Sequence, residues 1–217
     1  MDRPEITLTT PRLFIRPLEK SDKDCFMKLR TESVEIRSLV KYGSQMAEND
    51  WREILKNQDG SGEDFYYVCA FFKHTGEGDI LHPGEGDVFI GSMSVQNYGS
   101  PEIALGFDVV EEYRNQGYGT EMAQAVIGSL KKQGAERIFM KARNSNTISR
   151  HVIEKCGGVY LGEEPQKNKE LVDEITEKYG ELWKMLGDEL PDDVREFYDK
   201  MNESLMIQGE MVSVYEV

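Results

Sequence analysis

Residues 106–124 read GFDVVEEYRNQGYGTEMAQ. An apolar run ends at Val110, two glycines bracket Tyr118, and from there the apolar residues recur at helical spacing. This is the pattern of a strand, a Gly-rich turn and the start of an amphipathic helix. Such a junction suits an anion. Gly117 and Gly119 let the backbone approach a pyrophosphate closely, while free N–H groups and the positive end of the helix macrodipole favour negative charge there. The spacing is neither the P-loop, which requires G-x-x-x-x-G-K-[ST], nor the dinucleotide fingerprint, which requires three glycines after the first strand of a βαβ unit.

Upstream of this junction, residues 64–73 (DFYYVCAFFK), 87–96 and 103–110 read as strands separated by Gly- and Asx-rich connections, an antiparallel meander. Residues 9–17 alternate around Leu13 and Ile15 and form a first strand. Ser21, with Asp24 three residues on, reads as the cap of a helical region reaching about Val40, and a second helix over 47–57 carries Trp51, Ile54 and Leu55. Downstream, residues 117–132 place Tyr118, Met122, Ala125, Val126, Ser129 and Leu130 on one helical face, and 136–142 is a strand. That strand, helix and strand bring two parallel strands side by side. A short helix over 146–156 follows, capped by Asn146 and stopped by Gly157, then a strand from Val159 and a last one over 209–217.

Between those last two strands, Leu171, Ile175, Tyr179, Leu182 and Leu186, and after Pro191 Val194, Phe197, Tyr198, Met201 and Leu205, recur at helical spacing. Residues 163–203 hold 14 Asp and Glu against 6 Lys and Arg, a net of −8 within a chain of net charge −14. The expected fold is a single α/β (α+β) domain over residues 1–217. It has a mixed, mostly antiparallel seven-stranded sheet flanked by helices, and residues 164–206 form an acidic helical hairpin inserted before the last strand. Apolar stripes on that hairpin must bury against something, either as a wall of the acceptor site or as a homodimer interface.

A chain of 217 residues buries roughly 70% of its unfolded surface and needs no disulfide or metal to fold. Its negative charge argues against nucleic-acid or membrane-surface binding, both of which reward clustered Lys and Arg, and suits cationic small molecules or basic proteins. Cys25, Cys69 and Cys156 are widely spaced and read as free thiols of a reducing compartment, the cytoplasm. The N-terminus has no apolar signal core, and no stretch approaches the roughly 20 apolar residues of a membrane span. His74, Asp79, His82 and Asp87 match no metal-ligand spacing, so no metal is expected.

Three segments in the same order resemble one family. Thr10-Pro11-Arg12-Leu13-Phe14-Ile15-Arg16-Pro17-Leu18 resembles the opening T-x-R-L-x-L-R-x-L strand of the GNAT N-acetyltransferases, in particular the ribosomal-protein alanine acetyltransferase branch. Arg114-Asn115-Gln116-Gly117-Tyr118-Gly119-Thr120-Glu121 is similar to the family's acyl-CoA pyrophosphate loop, [QR]-x-x-G-x-[GA] followed by T-E. Asn146-Thr147-Ile148-Ser149, closed by Glu154-Lys155-Cys156-Gly157, resembles the branch's N-x-x-S…E-K-x-G segment.

The resemblance implies that acetyl-CoA, as acyl donor, binds where two parallel strands splay and that a primary amine attacks its thioester directly. It implies that backbone groups of Val109 and Val110 flank the pantetheine arm, that the loop from Arg114 and Asn115 through Gln116 to Thr120 cradles the pyrophosphate, that Asn146 orients the cofactor near its thiol end, and that Ser149 protonates the departing thiolate. The family's tyrosine acid falls on Ile153 and its glutamate base on Ala104. Glu102, on the same strand face about 6 to 7 Å away, is the candidate base. The acceptor implied is a protein N-terminus or a cationic polyamine or aminoglycoside-like amine. The alternative, motivated by Ala104 and Ile153, is a non-catalytic acyl-CoA-binding regulatory module.

Overall fold

The computed structural model describes residues 4–32, 44–62, 64–73, 88–166, 173, 177 and 210–217. Thr10 and Pro11 divide the expected first strand in two. β1 (Leu8–Thr9) and β2 (Leu13–Pro17) pair antiparallel with Leu8 opposite Ile15. The turn between them is closed by Thr10 N–H donating to the Leu13 carbonyl and Leu13 N–H donating to Thr10 Oγ1, both at 2.8 Å. Pro11 has no N–H for a ladder, so the chain turns there instead of extending.

A single 3₁₀ turn (Lys20–Asp22) leads into α1 (Lys23–Glu32). Its cap is Glu19 with Asp22, not Ser21 with Asp24 as the sequence suggests. Asp22 accepts the Glu19 N–H at 2.8 Å and both ends of the Arg16 fork at 2.7 and 2.8 Å. Arg16 and Asp22 are buried, and a buried charge must be paired and hydrogen-bonded, which draws Asp22 inward and displaces serine from the capping role. The expected continuation of α1 to about Val40 lies outside the described residues, and the next described helix, α2 (Ser44–Asp59), is longer than the expected 47–57.

β3 (Phe65–Phe72), β4 (Phe89–Gln96) and β5 (Glu102–Val109) form the expected meander. A 3₁₀ turn (Glu111–Tyr113) then leads to α3 (Tyr118–Lys132), followed by β6 (Arg137–Arg143), α4 (Thr147–Lys155), β7 (Val159–Pro165) and β8 (Met211–Glu216). The sheet has eight strands in the order β1-β2-β3-β4-β5-β6-β8-β7, one more than expected because β1 is separate. All neighbours are antiparallel except β5 and β6. β7 runs to Pro165, so a strand occupies the first two positions of the 164–206 segment. The helical hairpin expected beyond it, and the 74–87 connection with its two histidines, lie outside the described residues.

Alternation along β3 divides the core between the two faces of the sheet. Tyr66, Val68 and Ala70 join Ile103, Leu105, Ile138 and Met140 beneath α3, whose buried stripe is Gly119, Met122, Ala123, Val126, Ile127 and Leu130. That stripe is rotated slightly from the expected one, leaving Ala125 and Ser129 at its half-buried border. Cys69 and Phe71 point the other way, into Phe26, Trp51 and Ile54 of α1 and α2. Each buried Val, Leu, Ile, Phe or Met among them contributes roughly 1.5–3 kcal/mol.

Candidate active site at the splay of two parallel strands

β5 and β6 are paired only from Glu102 opposite Arg137 to Leu105 opposite Met140. Beyond Leu105 the two strands continue to Val109 and Arg143 without a shared ladder, and a notch opens between them. Val110 N–H donates to the Ile90 carbonyl at 3.0 Å, so this residue faces β4 and its N–H is committed there. Val109, opposite Gly91, is then in a non-hydrogen-bonded pair and turns its backbone groups toward the notch. Its carbonyl accepts Arg114 Nε at 2.9 Å. Of the two valines expected at the notch, the pleat selects Val109 and turns Val110 away.

One cleft of about 540 Å3 opens from the notch over the N-terminus of α3. It is lined by Val109, Arg114, Asn115, Gly117, Gly119 and Thr120 from the loop, and by Arg143, Asn146, Ser149 and Lys155 from across it. Gly117 is the N-cap at φ 85°, and Asn115 has φ 60°. At φ 85° a side chain on Gly117 would be strained, and a Cβ on Gly119 would stand 3.4 Å from Val109 Cγ2 and 3.5 Å from Phe107 Cε2. The first N–H groups of α3 have no acceptor within the helix. Beneath the loop, Phe72 packs edge-on against Tyr113 at 5.4 Å and Tyr118 at 5.2 Å.

A second cleft, about 760 Å3, lies on the other side of β5. Asp64, Asp108 and Glu164 line it together with Lys141, Arg143, Phe65 and Tyr67. Lys141 is ion-paired to Glu164. Tyr67 turns its ring into this cleft while its hydroxyl accepts Arg30 Nη1 at 2.9 Å; burial raises its pKa, so it is a neutral phenol at physiological pH. Phe107, Asp108, Arg143, Asn146 and Ser149 line both clefts. Asn146 Oδ1 caps α4 by accepting the Ser149 N–H at 3.0 Å, which presents the half-buried Ser149 at the meeting point.

Residues 12–159 match the family model of the acetyltransferase (GNAT) domain, more than half of the chain. The chain belongs to the GNAT acetyltransferase family. Among curated protein sequences none matches it. In fold it is similar to the ribosomal-protein-S5-alanine acetyltransferase of Vibrio fischeri (TM-score 0.61, 13% identity, 98% of this chain and 96% of that one). It is also similar to a ribosomal L7/L12 alpha-N-protein acetyltransferase in complex with coenzyme A (TM-score 0.59, 15% identity, 98% and 97%). A chimera of the Vibrio cholerae spermidine N-acetyltransferase with hSSAT gives a TM-score of 0.53 at 16% identity, over 71% of this chain and 85% of that one.

A GNAT acetyltransferase uses acetyl-CoA, and the first cleft fits it. It combines a glycine cradle, a helix N-terminus and three cationic side chains, Arg114, Arg143 and Lys155, within a chain of net charge −14. Four positions of the sequence reading, Glu102, Val110, Gln116 and Tyr118, do not line that cleft. Glu102 stands at the opposite end of β5, exposed, paired to Arg137 and outside the lining of both clefts, because the four-residue ladder carries the notch away from the strand start. Gln116 does not line the cofactor cleft; its side chain donates to the Glu112 carbonyl and its own carbonyl accepts Arg12. Ile153 is fully buried, so no side chain there reaches the notch, and Cys156, pushed up to about 11 by burial, is a thiol and not a nucleophile. Asp108 was missed, although it stands on the same alternating strand face as Glu102, Ala104 and Gly106, at the end where the strands part. Among the described residues no group of three or more His, Cys, Asp or Glu is placed to hold a metal ion.

Proposed function

We propose that this acetyltransferase transfers the acetyl group of acetyl-CoA to a cationic primary amine, with donor and acceptor meeting at the notch from two separate clefts. The observation that carries this reading is the contrast between the clefts. The one over α3 sets Arg114, Arg143 and Lys155 against Asp108, which suits an anion, the other sets Asp64, Asp108 and Glu164 against Lys141 and Arg143, and they share Asp108, Arg143, Asn146 and Ser149. An amine arrives as ammonium, is drawn to the acidic side, and must lose one proton before it attacks. Asp108 is the carboxylate at the junction and the group assigned to take that proton, directly or through water. This replaces Glu102.

Val109 N–H faces the thioester carbonyl and stabilises the charge that develops on its oxygen. Asn146 uses Oδ1 as the helix cap, so its Nδ2 is the group offered to the cofactor, and Ser149 Oγ supplies the proton to the departing thiolate. Holding the two reactants in one geometry supplies much of the rate.

Isothermal titration with acetyl-CoA tests the donor side. The wild type binds, and Gly117→Glu abolishes binding by adding a carboxylate and a strained backbone at the anion cradle. A thiol-release screen of amines, including spermidine and an alanine-initiated peptide, then identifies the acceptor. A wild type that does not bind acetyl-CoA would reject this reading.

A further inference from the structure

The turn between β1 and β2 grips the cofactor loop from outside. Thr10 Oγ1 stands 2.6 Å from Glu121 Oε1, which also accepts the Arg12 backbone N–H at 3.0 Å. Arg12 Nε donates to Glu121 Oε2 at 2.6 Å and Arg12 Nη1 donates to the Gln116 carbonyl at 3.0 Å. The same guanidinium lies over the Tyr118 ring at 4.1 Å, and its Nη2 is 3.4 Å from the place where a Cβ on Gly117 would stand. Thr10, Arg12 and Glu121 do not line the cofactor cleft. They touch the loop on its far side.

We infer that Arg12 and Glu121 are positioning residues for the donor's diphosphate: Glu121 fixes Arg12, and Arg12 holds the Gln116 carbonyl so that the Gly117 N–H is aimed into the cleft. This rests on the functional reading above. The peptide joining Gln116 to Gly117 is a planar trans unit whose C=O and N–H point in opposite directions. Anchoring the carbonyl on the outer side therefore sets the N–H on the inner side. The reverse orientation would present a carbonyl oxygen to the diphosphate. That flip is inexpensive at this position, because glycine on its C-terminal side carries little steric penalty in either orientation. An external restraint is needed, and the guanidinium supplies it. Burial opposes ionisation of Glu121, but hydrogen bonds from Thr10 and Arg12 and the Arg12 charge outweigh it and hold the carboxyl below its usual range, so the clamp is charged at neutral pH.

The sign of one measurement separates this role from simple electrostatics. Glu121 is a negative charge in the first turn of the helix that receives the anion, so removing it should tighten CoA binding if charge alone acted. Positioning predicts the opposite. Isothermal titration of the full chain with CoA, and with pantetheine, which lacks the diphosphate, is expected to show Glu121→Gln and Arg12→Lys each weakening CoA roughly tenfold, the scale of one charge-assisted hydrogen bond, with pantetheine unchanged. Arg12→Lys keeps the charge and loses the planar fork, so it repeats the test without altering net charge. CoA bound equally or more tightly by Glu121→Gln overturns the clamp alone. Equal weakening of both ligands with a lowered melting temperature also overturns it, in favour of a purely structural role. CoA ignored by the wild type overturns the functional reading and the clamp together.

Discussion

Asp108 occupies a position where one atom group faces two clefts, and that makes its substitution informative. Asp108→Asn keeps shape and hydrogen-bonding capacity but cannot hold a proton. It is expected to lower kcat/KM for the amine by at least about 100-fold, the usual worth of a general base, without weakening acetyl-CoA. Ser149→Ala should lower kcat alone, since a thiolate leaves after the acceptor is bound. Steady-state thiol release checks both, and an Asp108→Asn enzyme with normal kcat/KM would remove the carboxylate from the mechanism. At this scale the sequence was legible where chemistry is carried by backbone. Gly117, Gly119 and the Asn146 cap are readable because turns and caps demand those residue types. It was poorly legible for Asp108 and Glu102, since strand alternation gives the face of a residue but not how far along the strand the notch lies. That distance is set by where the β5 and β6 ladder stops, at Leu105 opposite Met140, a property of two strands packed in three dimensions.

At the splay, β4 approaches the far end of β5 closely. A Cβ on Gly91 would stand 2.2 Å from the Asp108 carbonyl oxygen and 3.1 Å from Val109 Cα. Only glycine permits that approach, which keeps β4 and β5 together where β5 and β6 have parted, with Val110 bonded to Ile90. Gly91→Ala is therefore expected to destabilise the fold by about 1–3 kcal/mol, as small-to-large changes in packed interiors do, and to displace Asp108 and Val109 together. Thermal unfolding and kcat should fall in the same variant; an unchanged melting temperature would contradict the close approach. The order of elements was readable because each strand and helix has its own period, and the parallel pair followed from the helix between β5 and β6. Two boundaries were not. Pro11 turned one expected strand into a hairpin, and the need to pair buried Arg16 moved the cap from Ser21 to Asp22, a tertiary demand that outweighs local preference.

For the whole molecule, charge is distributed in a way that a cationic acceptor would sense before contact. The chain carries −14, and −8 of it falls within residues 163–203. β7 and β8 are antiparallel and their last pair is Pro165 opposite Met211, so the chain leaves and re-enters the sheet at adjacent points. A variant lacking residues 167–209, with Gln166 and Glu210 joined by a two-residue Asp-Gly turn, is expected to keep the β7 and β8 hairpin and bind acetyl-CoA as the wild type does. Its kcat/KM for the amine found by the thiol-release screen should fall at low salt, because a distributed negative field raises the encounter rate of a cation. The two proteins should converge at 1 M salt, where the Debye length is only about 3 Å. A difference that persists at high salt would instead place the segment in direct contact with the acceptor. Light scattering on the same pair addresses the remaining role for its apolar stripes: a dimeric wild type that becomes monomeric on deletion makes the segment the homodimer interface, and an unchanged number of protomers excludes it.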